Sequence, residues 1–217
     1  MKKYKPKNKE ELQELVRDES VNLGDIDTSL ITDMSELFEN NIRKDFSGIN
    51  EWNTSNVTNM SAMFFNCKYF NEALSFDTSS VVNMSYMFAF CERFNKTIDF
   101  NTCNVEDMGN MFDSCKNFNQ ALNFNTLKVK DMSYMFKGCY RFNQMLEFDT
   151  KNVKNMDFMF LECKSFNQML DFDTSSAFNL DDMFLFCDNL EQEPKFYTDY
   201  MDEKQKRYEE LKNGFEG

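Results

Sequence analysis

Seven cysteines and 37 carboxylates are the groups with which this chain could do redox, metal or acid–base chemistry, for its 217 residues include no histidine. Without imidazole there is no Ser-His-Asp or Cys-His nucleophile and no His-ligated zinc. Thiolate zinc sites use cysteine pairs about two to four residues apart. The closest spacing here is the twelve residues from Cys91 to Cys103 and from Cys103 to Cys115. Six cysteines, Cys67, Cys91, Cys115, Cys139, Cys163 and Cys187, recur at one position of a repeat. On packed helices such neighbours stand about 8–10 Å apart, and a disulfide needs Cα atoms within about 7 Å. They are therefore expected to be free thiols filling small apolar spaces. Cys103 lies off the column, where other units carry Ser55, Ser79 or Ser175, and reads as a Ser-like turn residue. Carboxylate pairs arise wherever every unit has surface Asp or Glu, and no phosphate loop or nucleophile motif accompanies them. The expectation is no catalytic residue, no metal and no cofactor.

The elements that position these groups are set by a 24-residue period. Met60, Met84, Met108, Met132 and Met156 keep that step, with Leu180 in the sixth place. Met63, Phe64, Cys67, Phe70 and Phe76 each begin a column of the same step, and Trp52 precedes the last of these. A degenerate earlier copy spans 27–52 and carries two extra residues before Phe46. Repeats of this kind bury their apolar faces only by stacking.

Within a unit, Val57, Met60, Met63, Phe64 and Cys67 recur at three and four, a helical spacing. Asn or Asp precedes the first Met in every copy (Asp33, Asn59, Asn83, Asp107, Asp131, Asn155 and Asn179), as a helix N-cap would require. That predicts a helix of about two turns over 60–68. Leu74 and Phe76 then alternate with Ser75 and Asp77, the period of a short strand. The expected fold is an α/β repeat solenoid, leucine-rich-repeat-like. It has a short parallel β-sheet on one face, two-turn helices on the other, and terminal caps. Its divisions are an N-terminal capping helix region (1–26), a solenoid of about seven repeats (27–196) and a C-terminal capping helix (197–217). Asn8 with Glu11 forms a capping-box pattern. Residues 199–212 read as a helix turning Met201, Tyr208 and Leu211 inward. Asn71, Asn95, Asn119, Asn143 and Asn167 read as an internal ladder whose amides bond the neighbouring coil's backbone.

Composition narrows the partners. With 24 Lys+Arg against 37 Asp+Glu the net charge is −13, which disfavours nucleic acid. No apolar run is long enough to span a membrane. Polar residues follow the basic start where a signal peptide needs an apolar stretch, and no lipid-attachment cysteine stands near it. With unpaired thiols, this gives an expected cytoplasmic, reducing location.

The unit Asn143-Gln144-Met145-Leu146-Glu147-Phe148-Asp149-Thr150, followed by Asn155-Met156-Asp157-Phe158-Met159-Phe160, resembles the BspA-like repeat of bacterial leucine-rich-repeat surface proteins. The resemblance covers about residues 27–196. It implies a leucine-rich-repeat-like fold and protein binding, often as adhesion at the cell surface, with a surface or secreted location as the alternative.

Two surfaces are candidates for binding. The first is the outward strand face: Glu51, Asp77, Asp99, Met145, Glu147, Asp149, Met169, Asp171 and Asp173. Its late carboxylates beside Met suit a basic, partly apolar protein surface, or they serve solubility alone. The second is the outer helix face: Phe65, Tyr86, Phe90, Tyr134, Phe158, Leu161, Leu185 and Phe186. Contiguous apolar area there would mark a partner groove or a homodimer contact; a helix phase off by one residue would instead make these side chains packing. The expected function is a non-catalytic protein-binding repeat scaffold for a partner with a basic surface. The alternatives are a self-assembling structural protein, or a BspA-like adhesin exported without a recognisable signal.

Overall fold

The structure is a computed structural model and describes residues 2–214. Among these residues the α-helices are α1, Lys9–Arg17, and α2, Lys195–Gly214, and 3-10 turns span Leu23–Asp25 and Ile49–Glu51. No strand forms among them; the β-type pairing between successive units is limited to isolated parallel bridges such as Asn59↔Asn83 and Asn83↔Asp107. The expected parallel sheet and the two-turn helices are both absent. The α/β leucine-rich-repeat-like solenoid is thereby overturned.

What replaces the helix is a run of tight turns. Met63, Phe65 and Cys67 donate their N–H groups to the carbonyls of Met60, Ala62 and Phe64, at 3.2, 3.0 and 3.0 Å. The alternate residues Met60, Ala62, Phe64 and Asn66 donate to Asn83, Ser85, Met87 and Ala89 of the next unit, at 2.9, 2.8, 2.9 and 2.8 Å. Ala62 and Asn66 have φ of 54° and 55°, and the same two positions are left-handed in the other units. A left-handed residue ends a right-handed helix and turns its amide sideways. The physical choice is one of pairing. An eight-residue helix leaves half its donors and acceptors unmatched at its two ends, whereas the turn run sends every second N–H to a neighbour. The apolar spacing of three serves both conformations, so spacing alone cannot separate them.

The Asn/Asp column opens this run without capping a helix. Its side-chain Oδ1 accepts from the residue two further on, as in Ser61 N–H to Asn59 at 3.0 Å and Ser133 N–H to Asp131 at 2.8 Å. That is an Asx turn.

The core is a set of aromatic ladders. Phe38, Phe64, Phe88, Phe112, Phe136, Phe160 and Phe184 stack ring on ring, 5.4–5.7 Å apart. Phe70, Phe94, Phe118, Phe142 and Phe166 form a second stack beside it. The Met and Val columns fill the remaining space and are buried.

On the opposite edge the alternation is present without a ladder. Leu74, Phe76 and Thr78 are buried while Ser75 and Asp77 are exposed. The backbones there meet at one isolated bridge, Leu74↔Ile98, and Phe124 and Phe148 stack 6.5 Å apart. Buried threonines join the coils: Thr54, Thr78, Thr102, Thr126 and Thr150 each donate to a carbonyl of the following coil, at 2.9–3.0 Å. The asparagine ladder forms as well. Asn95, Asn119, Asn143 and Asn167 donate backbone N–H to the Oδ1 of the preceding Asn, at 2.9–3.0 Å. It lies at the surface and not inside, since each of these Asn residues is at least partly exposed.

Both ends are helical, with different closure. Asn8 Oδ1 accepts from Glu11 N–H at 2.9 Å, starting α1, and Leu12 and Val16 are fully buried against the first coil. At the other end Tyr197 packs edge-on against Phe184, 5.2 Å between centroids. Tyr200 donates its hydroxyl to Asp181 at 2.7 Å. Met201, Tyr208 and Leu211 are exposed, not turned inward. The stack's end is too small to cover the far half of a helix about 30 Å long.

Candidate interaction surfaces

The acidic edge divides into occupied and free carboxylates. Asp77, Asp149 and Asp173 accept the turn N–H of Ser79, Lys151 and Ser175 at 3.1, 3.2 and 2.9 Å. The hydroxyls of Ser79 and Ser175 hold Asp77 and Asp173 below the usual carboxylate range. Glu51 is paired with Lys2 at 3.0 Å, and Asp149 also with Lys151 at 3.3 Å. Asp99, Glu147 and Asp171 make no ion pair with a described residue. Met145 and Met169, 61% and 64% exposed, stand beside the last two. Met145 and Glu147 help line a groove of about 360 Å³ with Ala121 and Phe124.

The outer residues gather into separate groups. Phe65 lies 6.3 Å from Tyr86 and 5.3 Å from Phe90. Tyr134 and Phe158 stack at 4.8 Å. Leu161 is partly buried, and Leu185 and Phe186 are exposed on the last coil. Between the first two groups the same positions hold Asn110 and Ser114, so the aromatic strip is interrupted. No helix phase governs these side chains. Tyr86, Phe90, Tyr134, Phe158 and Phe186 occupy the left-handed turn positions, with φ of 58°, 62°, 57°, 54° and 61°. Bulky residues are uncommon there.

The cysteine column does more than fill space. Cys67 donates its S–H to Phe38 O at 2.8 Å, and Cys91, Cys115, Cys139, Cys163 and Cys187 repeat the bond one coil further on each time, at 2.9–3.0 Å. Burial pushes the Cys67 and Cys187 thiols up to about 12 and holds Cys91, Cys115, Cys139 and Cys163 well above the ordinary value. A thiolate would lose the donor as well as its water. All seven cysteines are free, and only Cys103 and Cys187 are partly exposed. An aromatic disulfide reagent is therefore expected to modify Cys103 first and Cys187 more slowly, with the rest reacting only in denaturant. Fast modification of Cys115, located by peptide mapping, would contradict this.

Sequence reasoning missed two groups. Asp157 stands where other units have Ser61, Ser85 or Ser133, and its buried Oδ1 has no partner. Burial, with Asp131 and Asp181 nearby, raises its carboxyl above the usual range. Arg43 is buried in the insertion of the first unit; those two extra residues were the signal that could have found it. Among the described residues no cluster of Cys, Asp and Glu could hold a metal ion, and no helix is long and apolar enough to cross a membrane.

A regular stack of 24-residue coils defines a repeat protein. The family described as Mycoplasma protein of unknown function, DUF285, matches residues 10–122 and 97–200. The chain belongs to that family. No curated protein matches it, and no solved structure does.

Proposed function

We propose that the protein is a non-catalytic scaffold that presents its outer aromatic residues to a protein partner with a basic surface. The observation that carries this reading is the exposed Tyr86 and Phe90 at left-handed positions. Asn or Gly would sit there with less strain, as Asn66 and Gly138 do in other coils. Left-handed side-chain-bearing residues cost about 1–2 kcal/mol each and tend to mark functional surfaces. The net charge of −13 favours a cationic partner. The BspA-like resemblance supports the binding part of the reading. The free thiols support a cytoplasmic, reducing location.

The test is the double substitution Tyr86→Asn with Phe90→Asn. Lost ring contact with Phe65 and relieved strain offset each other, so stability should stay within about 1 kcal/mol of wild type. Proteins retained from a bacterial lysate by the immobilised wild-type chain should be lost from the variant. Retention of the same proteins would sink the proposal. A concentration-dependent dimer abolished by the substitutions would instead make the partner a second copy.

A further inference from the structure

The coil-to-coil hydrogen bonds have a direction, and the last coil has nothing to direct them to. In the coil before it, Met156, Phe158, Phe160 and Glu162 donate N–H to Asn179, Asp181, Met183 and Leu185, at 3.0, 2.9, 2.9 and 2.9 Å. The equivalent donors of the last coil are Leu180, Asp182, Phe184 and Phe186. The Tyr200 hydroxyl lies beside the Leu180 backbone. The amides of Asp182, Phe184 and Phe186 donate to no acceptor among the described residues. α2 closes only part of this end: Tyr197 lies on Phe184, and Tyr200 and Lys204 reach Asp181. From Met201 through Lys212 every α2 residue is exposed, and so are Leu185 and Phe186.

We infer that this open end docks an extended, basic segment of a partner protein by backbone pairing. Three N–H groups at alternate residues are the donors that every earlier coil pairs with a neighbouring backbone, and a docked segment would supply carbonyls to them. Leu185 and Phe186 supply apolar contact beside them. Charge selects the rest of the segment: from Ser165 to Pro194 the chain has no Lys or Arg, while Asp182, Asp188, Glu191 and Glu193 are exposed there. The molecule already makes such a contact at its other end. Tyr4 bridges Ile26 in parallel, with Lys3 N–H on Asp25 O at 2.8 Å and Asp27 N–H on Tyr4 O at 2.8 Å. Lys3 and Lys5 pair with Asp25 and Asp27 at 2.6 and 2.9 Å. A second copy is the poorer occupant. Its basic segment is held in these contacts, and the remainder of the chain is acidic. The inference goes beyond the outer-face proposal and is independent of it, since Tyr86 and Phe90 lie four coils away.

The test uses the full chain, amide hydrogen exchange by NMR, and two synthetic octapeptides, one alternating Lys and Val, the other Glu and Val. In the free protein the amides of Asp182, Phe184 and Phe186 should exchange at least 100-fold faster than those of Phe158, Phe160 and Glu162. The Lys–Val peptide should slow the first three at least tenfold, and the Glu–Val peptide should not. Asp188→Lys with Glu191→Lys should weaken Lys–Val binding at least tenfold, with Phe160 exchange unchanged as the check on folding. If the three amides are already protected in the free protein, the edge is closed and the inference fails. It also fails if the peptide binds without slowing them, or if both peptides bind alike. Protection that grows with protein concentration alone would assign the edge to a second copy and overturn the choice of partner.

Discussion

Phe112→Ala is expected to cost the fold about 3–5 kcal/mol and to split its unfolding into two stages. Phe112 is fully buried at the middle of the stack. It touches Phe88 and Phe136 at 5.7 Å along its column and Phe118 at 4.4 Å across the core. Each coil contacts only its neighbours, so stability resembles a chain of nearest-neighbour terms. A cavity at the centre weakens the term that couples the two halves. Trp52, the single tryptophan, reports the first half by fluorescence, while circular dichroism reports the whole. In urea the two signals should coincide for the wild type and separate for Phe112→Ala. Phe184→Ala, on the last coil, should only shorten the stack and keep the signals together. Coincident transitions for Phe112→Ala, within about 1 kcal/mol of wild type, would refute this account of cooperativity.

Arg43→Ala is expected to release α1 from the stack at a cost of about 3 kcal/mol. Among the described residues no carboxylate forms an ion pair with the Arg43 guanidinium, although Glu19, Asp45 and Asp18 lie near it. Its Nη2 donates to Asp18 O at 2.7 Å, Val21 O at 3.3 Å and Val16 O at 3.4 Å. Its Nη1 donates to Asp45 O at 3.2 Å and Val21 O at 3.3 Å. These include carbonyls that α1 leaves unpaired at its C-terminal end. Burial pulls the guanidinium below its ordinary value, yet arginine stays charged. Without it, several buried carbonyls have no donor. Lysine cannot reproduce the planar fork, so Arg43→Lys should fall between wild type and alanine. Limited trypsin digestion checks the mechanism: cleavage after Arg17 should become fast in Arg43→Ala while residues 53–190 stay protected. Unchanged digestion and melting would show that α1 is held by Leu12 and Val16 alone.

The repeat, its register and the buried columns were legible in the sequence, because a 24-residue step repeated without slip leaves little freedom. The asparagine ladder was legible for the same reason, although its surface position was not. The local conformation was misread. Met60, Met63 and Cys67 are spaced as a helix would space them, but Met63 and Cys67 close four-residue turns opened by Met60 and Phe64, and periodicity is blind to the left-handed residues between. Alternation at Leu74 to Asp77 gave the correct faces and the wrong pairing: Leu74 meets Ile98 in a single bridge, and threonine hydroxyls, not a backbone ladder, join the coils there. Of the candidate sites, residue type predicted exposure at Met145, Met169 and Phe186. It could not show that Asp77 and Asp173 are engaged in turns, nor that the cysteine column is a row of donors.

The direction of the bonds between coils has an electrical consequence for the whole chain. In each turn run before the last, four backbone N–H groups point toward the C-terminal end, as from Met84, Tyr86, Phe88 and Phe90, while fewer point back, as from Val82 and Asn83 to Thr58 O. Peptide dipoles aligned in this way sum, so the stack carries an axial moment, negative at its first coil and positive at its last. The fixed charges oppose it at both ends. Lys2, Lys3, Lys5, Lys7 and Lys9 gather at the negative pole, and the lysine- and arginine-free stretch 165–194 surrounds the positive one. The segregation of charge along this sequence thus follows the polarity of its stack, with a sign opposite to that of an α-helix read in the same chain direction.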